Sequence, residues 1–187
     1  MYQPIIALDI GGTKTAVSLW KGELLGKLRF PTQGTPDQVI KQSLASIDQL
    51  LVDAGLAAKD CVGLGISCGG PLDSEKGLIL SPPNLPGWDN IPIVSMMKEK
   101  TGVPCFLEND ANACALAEWY WGAGRGCRDL AFLTFGTGLG CGLILNGQLY
   151  RGASILPVRW VISVSPKMAR KGTASAVPGK ATAAGAA

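Results

Sequence analysis

The feature that most restricts the fold of this chain is a pattern that occurs twice. Ala7-Leu8-Asp9-Ile10-Gly11-Gly12-Thr13-Lys14 and Leu133-Thr134-Phe135-Gly136-Thr137-Gly138-Leu139-Gly140 both run from an apolar strand through a Gly/Thr turn into another apolar strand. Two such units about a domain apart predict duplicated α/β halves that face one ligand. Glycine lets a backbone approach a ligand closely, and successive N–H groups in such a turn form an anion-binding concavity. Thr13, Thr137 and Lys14 add hydroxyl and ammonium donors, and Asp9 brings a carboxylate beside them. A carboxylate next to bound phosphate is a usual way to hold Mg²⁺, mostly through water. Either turn alone is as readily a tight hairpin; the pair favours phosphate. Neither is a P-loop or a dinucleotide fingerprint.

The rest of the chain reads as alternating strands and helices. Strands are predicted over 5–10, 15–20, 27–30, 61–68, 104–107, 130–135 and 140–145. Thr35-Pro36 predicts a helix start, with Thr35 as N-cap and Pro36 at the first helical position. Val39, Ile40, Leu44, Ile47, Leu50 and Leu51 follow at helical spacing, and Gly55 ends that helix. Further helices are predicted over 93–101 and 110–121. Residues 81–92 hold four prolines and read as a long irregular loop of the kind that carries function. In it, Asn84-Leu85-Pro86-Gly87-Trp88 offers an amide for hydroxyl recognition, or simply a turn with a half-buried Trp. Asp110 follows a strand and opens a helix. It is placed either to accept a proton from an alcohol or to cap the helix. Asn146-Gly147 is a hairpin signal.

Composition excludes several classes. The chain has 187 residues, 47% of them apolar, which suffices for a sizeable core. No apolar run reaches the length of a membrane-spanning helix, and the start of the chain lacks signal-peptide character. With six cysteines in no C-x-x-C spacing and no His, no zinc site is expected. Scattered cysteines in apolar context fit a reducing, cytoplasmic setting. All 14 acidic residues lie at or before Asp129, whereas six of the 17 basic ones lie after it. A basic arm for nucleic acid is one reading. The charges are sparse and no nucleic-acid motif accompanies them, so neither a nucleic-acid nor a membrane partner is expected.

Taken together, Asp9-Ile10-Gly11-Gly12-Thr13-Lys14, Gly69-Gly70-Pro71, Asn84-Leu85-Pro86-Gly87-Trp88, Glu108-Asn109-Asp110-Ala111-Asn112 and Phe135-Gly136-Thr137-Gly138-Leu139-Gly140-Cys141-Gly142 resemble the ROK family of sugar kinases and sugar-responsive repressors. The resemblance covers 4–154. It implies the actin-like (ribonuclease H-like) ATPase fold, an α/β class. The first domain, 1–122, is largely present but lacks its return segment. The second, 123–154, is represented by its opening strand pair. The resemblance implies ATP-dependent phosphorylation of a hexose or N-acetylhexosamine hydroxyl, usually O6. By it, Asp110 is the catalytic base, and Asn84, Gly70 and Asn109 join it in holding the sugar. Asp9, Gly11, Gly12, Thr13, Lys14, Gly136, Thr137, Gly138 and Gly140 hold ATP, and Asp9 helps place Mg²⁺ through water. The small-molecule partners are a sugar and ATP; intact family members are often homodimers. The alternative is the sugar-sensing domain of a ROK repressor. Only eight residues precede Asp9, too few for such a repressor's DNA-binding part.

After Arg151-Gly152-Ala153-Ser154 the family pattern calls for G-E-x-G-H, and this chain reads Ile155-Leu156-Pro157-Val158-Arg159-Trp160 instead. Taking the third base of each codon with the first two of the next, allowed codons over 157–187 restore G-E-V-G-H and a continuous family-like string beyond it. Residues 155–187 are therefore expected to be out of frame after a single-base deletion near 154–155. As written, the chain is expected to be an inactive fragment, with an open sheet edge and an uncovered apolar face.

Overall fold

The computed structural model describes residues 2–135 and 139–152. In chain order it contains β1 (Ile5–Ile10), β2 (Lys14–Trp20), β3 (Leu24–Pro31), α1 (Pro36–Asp53), β4 (Gly63–Cys68), β5 (Leu72–Asp73), β6 (Leu78–Ile79), α2 (Ile93–Thr101), β7 (Cys105–Asn109), α3 (Asp110–Trp121), β8 (Leu130–Phe135), β9 (Leu139–Leu145) and β10 (Gln148–Tyr150). The expected α/β organisation is present. A five-stranded sheet has the order β3-β2-β1-β4-β7. Its first three strands form an antiparallel meander, and β1, β4 and β7 run parallel.

Strand alternation decides which side chains enter the core. Ile6, Leu8 and Ile10 of β1 and Leu64, Ile66 and Cys68 of β4 are buried. Asp9 and Ser67, one residue out of phase, face the other side of the sheet. α1 covers the buried side over β2 and β3 with Val39, Ile40, Ile47, Leu50 and Leu51. Its start is the predicted one, strengthened by a capping box. Gln38 N donates to Thr35 Oγ1, and Gln38 Oε1 accepts from Thr35 N at 2.9 Å.

Several details differ from the sequence reading, and three of them bear on the site. The strand expected over 61–68 starts at Gly63, because Ala58–Asp60 form a short 3₁₀ turn that Cys61 closes. The strand expected over 104–107 extends to Asn109, so Glu108 and Asn109 pair in register with Ser67 and Cys68. The loop over 81–92 is not loose. Ile79 and Ile91 exchange both backbone hydrogen bonds, and Ser81 N donates to Trp88 O at 2.9 Å. Trp88 is 2% exposed, fully buried rather than half-buried, and Leu85 lies beside it in the core.

The second sheet has the order β10-β9-β8. It exceeds the expected strand pair by one strand, because Asn146 and Gly147, both at positive φ, turn the chain back into β10. α3 packs against β8 and β9 and also touches β4 and β7, which makes it the joint between the sheets. The close approach needs Gly142, where a Cβ would lie 2.4 Å from Ala111 O. The expected apolar exposure is present on β8, where Leu133 and Phe135 are exposed. No helix of the described residues is long and apolar enough to cross a membrane. The expectations for Gly136, Thr137, Gly138 and 155–187 lie outside the described residues.

Candidate functional site

Parallel β1, β4 and β7 all point their C-terminal ends to one edge of the sheet, where an open α/β sheet binds its ligands. β1 ends with Asp9 and Ile10, β4 with Ser67 and Cys68, and β7 with Glu108 and Asn109. Of the sequence-predicted residues among those described, Asp9, Gly11, Gly12, Gly70, Asn84, Asn109 and Asp110 lie at or next to this edge. Ser67 Oγ donates to Asp9 Oδ1 at 2.7 Å, so the parallel partner strand orients the carboxylate. Sequence reading missed Ser67. Its only signal was its place in a buried strand just before Gly69-Gly70.

The turn after β1 lies against the Asn84 loop. A Cβ on Gly12 would sit 2.6 Å from Asn84 O, so glycine is what lets the two segments meet. Gly11 N donates to Lys14 O at 3.1 Å and closes the turn, while Thr13 and Lys14 are exposed. Gly69 stands between Asn84 and Asp110: a Cβ there would be 3.5 Å from Asn84 Nδ2 and 4.0 Å from Asp110 Oδ2. Gly70 follows on the same wall and is half-buried. Asn84, Gly69 and Asp110 therefore surround one small space, with the Gly11-Gly12 turn alongside. In the second sheet, Gly140 N donates to Thr134 Oγ1 at 3.2 Å, and a Cβ there would be 3.3 Å from Ala111 Cβ. This places the start of β9 beside the first turn of α3.

The two readings of Asp110 separate at this corner. The N-cap is Asn109, whose Oδ1 accepts from Ala111 N at 3.1 Å and Asn112 N at 3.4 Å. Asp110 is the first helical residue, and its Oδ1 accepts from Ala111 N at 2.8 Å. Its carboxyl opens onto the surface, yet the surrounding walls displace enough water to raise its pKa. The negative charge of Asp9 raises it further, against the lowering by the Ala111 amide and Asn109 side chain. A carboxylate raised in this way is a better proton acceptor than a free one. Cys68 lies under both carboxylates, and burial first, then Asp110 and Asp9, push its thiol up to about 12. It stays protonated at neutral pH and is no nucleophile.

No cluster of three His, Cys, Asp or Glu fit for a metal occurs among the described residues. Asp9 is a single exposed carboxylate with one oxygen held by Ser67. That donor set fits Mg²⁺, which keeps most of its water and takes other ligands from phosphates, better than it fits an all-protein metal cage.

The chain is similar to several known proteins. The model of the ROK family matches residues 5–156. A glucokinase of Thermotoga maritima is 35% identical over 153 residues, which are 79% of this chain and 46% of that protein. A xylose repressor of Caldicellulosiruptor bescii is 37% identical over 108 residues, 58% of this chain and 27% of that protein. The crystal structure of a ROK family glucokinase from Streptomyces griseus, in complex with glucose and AMPPNP, superposes with a TM-score of 0.66 at 32% identity. It covers 80% of this chain and 46% of that one. The chain thus spans about half the length of the curated kinases it matches.

Proposed function

Since the chain belongs to the ROK family, we propose that it carries the phosphate-binding turn and the proton-accepting corner of an ATP-dependent kinase acting on a hexose or N-acetylhexosamine. The observation that carries this reading is the convergence of Asp9, Gly12, Asn84 and Asp110 at the ends of β1, β4 and β7. Residues 1–122 form its first domain and 123–154 the start of its second. Asn84 and the Asn109 side chain hold sugar hydroxyls, with the backbone at Gly70 beside them. Gly11, Gly12, Thr13 and Lys14 hold ATP phosphates, together with Gly136, Thr137, Gly138 and Gly140 from the second turn. Asp9 would hold Mg²⁺ through water, and the ion would supply neutralisation of phosphate charge. Asp110 takes the proton of the acceptor hydroxyl, O6 by resemblance. The oxygen then bonds to the γ-phosphorus, the bond from that phosphorus to the bridging oxygen breaks, and ADP leaves. Such transfer depends on positioning and charge stabilisation, which is what these residues supply.

The match to a xylose repressor supports a second reading, in which the same cleft senses a sugar without turnover. We infer further that G-E-x-G-H, in the frame that restores family sequence after 154, supplies the remaining sugar contacts. The test is a coupled ADP-release assay over a hexose panel, on the 187-residue chain and on the frame-restored chain. Sugar-dependent ADP release by the restored chain alone is expected. Sugar binding without turnover by the restored chain selects the sensor reading, and neither binding nor turnover refutes both.

A further inference from the structure

Glu108 belongs to the motif that carries Asn109 and Asp110, yet the proposed chemistry gives it no part. Its surroundings are specific. Oε1 accepts from Asn109 N at 3.0 Å, from Asn112 Nδ2 at 3.0 Å and from Ser74 Oγ at 3.4 Å. Oε2 accepts from Arg151 Nε at 3.0 Å and Nη2 at 2.9 Å. The acceptor capacity of an ionised carboxylate is thereby well filled. These donors come from separate parts of the fold. Ser74 follows β5, Asn109 and Asn112 flank Asp110, and Arg151 directly follows β10 of the second sheet.

We propose that Glu108 is a positioning residue and that its pair with Arg151 is an inter-sheet latch, coupling the docking of β10 to the orientation of the Asp110 corner. The functional part of this inference rests on the reading of Asp110 as the proton acceptor. The Arg151 side chain is 57% exposed and that of Glu108 only 16%. An exposed partner makes the pair a small contributor to global stability. Its effect is local instead. Glu108 binds both sides of Asp110 in sequence, and Asn109 in turn caps α3 and bonds to the Asp110 carboxylate. With Arg151 removed, Oε2 loses its charged donors and the carboxylate is free to rotate off Asn109 N and Asn112 Nδ2. Domain closure that moves the second sheet would then be felt at the proton acceptor without any contact between ligand and Glu108.

Amide hydrogen exchange on the full chain tests the latch. Arg151→Met and Glu108→Gln should each speed exchange at Ala111 and Asn112 roughly tenfold, as expected for loss of charge-assisted local support. Amides of Leu8 and Val17 should keep their protection. The double variant should exchange no faster than the faster single variant, and Arg151→Lys should recover part of the protection. Unchanged exchange at Ala111 and Asn112 in Arg151→Met would overturn the proposal, as would additive effects or a uniform loss across β1 and β2. Arg151→Met alters an exposed side chain, so the test survives even where Glu108→Gln fails to fold. Titration with glucose forms a separate arm. Weaker binding in Arg151→Met with unchanged AMPPNP affinity supports the coupling to the sugar side. Linked exchange in a frame-restored chain that binds none of a panel of hexoses and N-acetylhexosamines keeps the latch and removes only the sugar-kinase reading.

Discussion

Ser67 donates a 2.7 Å hydrogen bond to Asp9 across 58 residues of sequence, and parallel pairing of β1 with β4 makes it. The bond aims the carboxylate along the edge where the Gly11-Gly12 turn begins. Ser67→Ala is expected to weaken Mg²⁺-dependent AMPPNP binding severalfold and to leave glucose affinity unchanged. Loss of a hydrogen bond to a charged group supports an effect of that order. Calorimetric titration of both ligands distinguishes this from a general loss of structure, which would weaken both.

Asp110 should trade stability for chemistry. Its pKa is raised in the folded chain, mainly by burial and then by Asp9. For an acid raised in this way, stability is intact below the ordinary carboxylate range and is lost as pH rises through the folded pKa. At neutral pH the ionised group therefore costs stability. Asp110→Asn is expected to raise Tm at pH 7, with the gain shrinking towards pH 3, and to abolish phosphoryl transfer in the frame-restored chain. A lower Tm at pH 7, or retained turnover, would contradict the assignment.

Gly142→Ala should separate the two sheets. The new methyl would sit 2.4 Å from Ala111 O and 2.6 Å from Ala115 Cβ, neither of which is a flexible side-chain tip. Overpacking of this kind costs about 1–3 kcal/mol. Urea denaturation should show a lower midpoint. Gly147→Ala meets nothing within 4 Å but sits at φ 72°, so a smaller loss is expected there, from backbone strain alone.

Trp88→Ala should be far more damaging than a loop position suggests. Trp88 is 2% exposed and belongs to the same buried core as Leu85, Ile79 and Ile93. Phe or Trp to Ala in a core costs about 3–5 kcal/mol, a large share of a marginal domain's stability. The Asn84 backbone should lose its place with it. A soluble variant with unchanged Tm would show that the loop is held by its backbone bonds alone.

Sequencing the coding DNA around codon 154 should reveal one missing base. The restored frame then supplies G-E-x-G-H after Ser154, and its product should release ADP with a hexose where the 187-residue chain does not. An intact reading frame, confirmed in the DNA, would remove this explanation of the acid-free end of the chain.

Much of this protein was determined by local sequence alone. Helical spacing and the Thr35-Pro36 start define α1, and α2 and α3 have the predicted bounds, because capping, periodicity and strand alternation act between neighbouring residues. The Gly11-Gly12 turn and the Asn109-Asp110 corner were likewise legible, since their residue types are costly anywhere but at turns and helix starts. Tertiary structure decided the rest. Whether Asp110 or Asn109 capped α3 depended on how far β7 ran beside β4, which no local signal states. The roles of Ser67 and Glu108 were invisible because serine and glutamate are common at the surface, and only strand register and the docking of β10 give them partners. Trp88 read as half-buried because prolines mark a loop, but burying an indole outweighs the loop's freedom once Ile79 and Ile91 pair. Local order follows from interactions a few residues long. The site follows from long-range pairing, where the free energy of burial selects the partners.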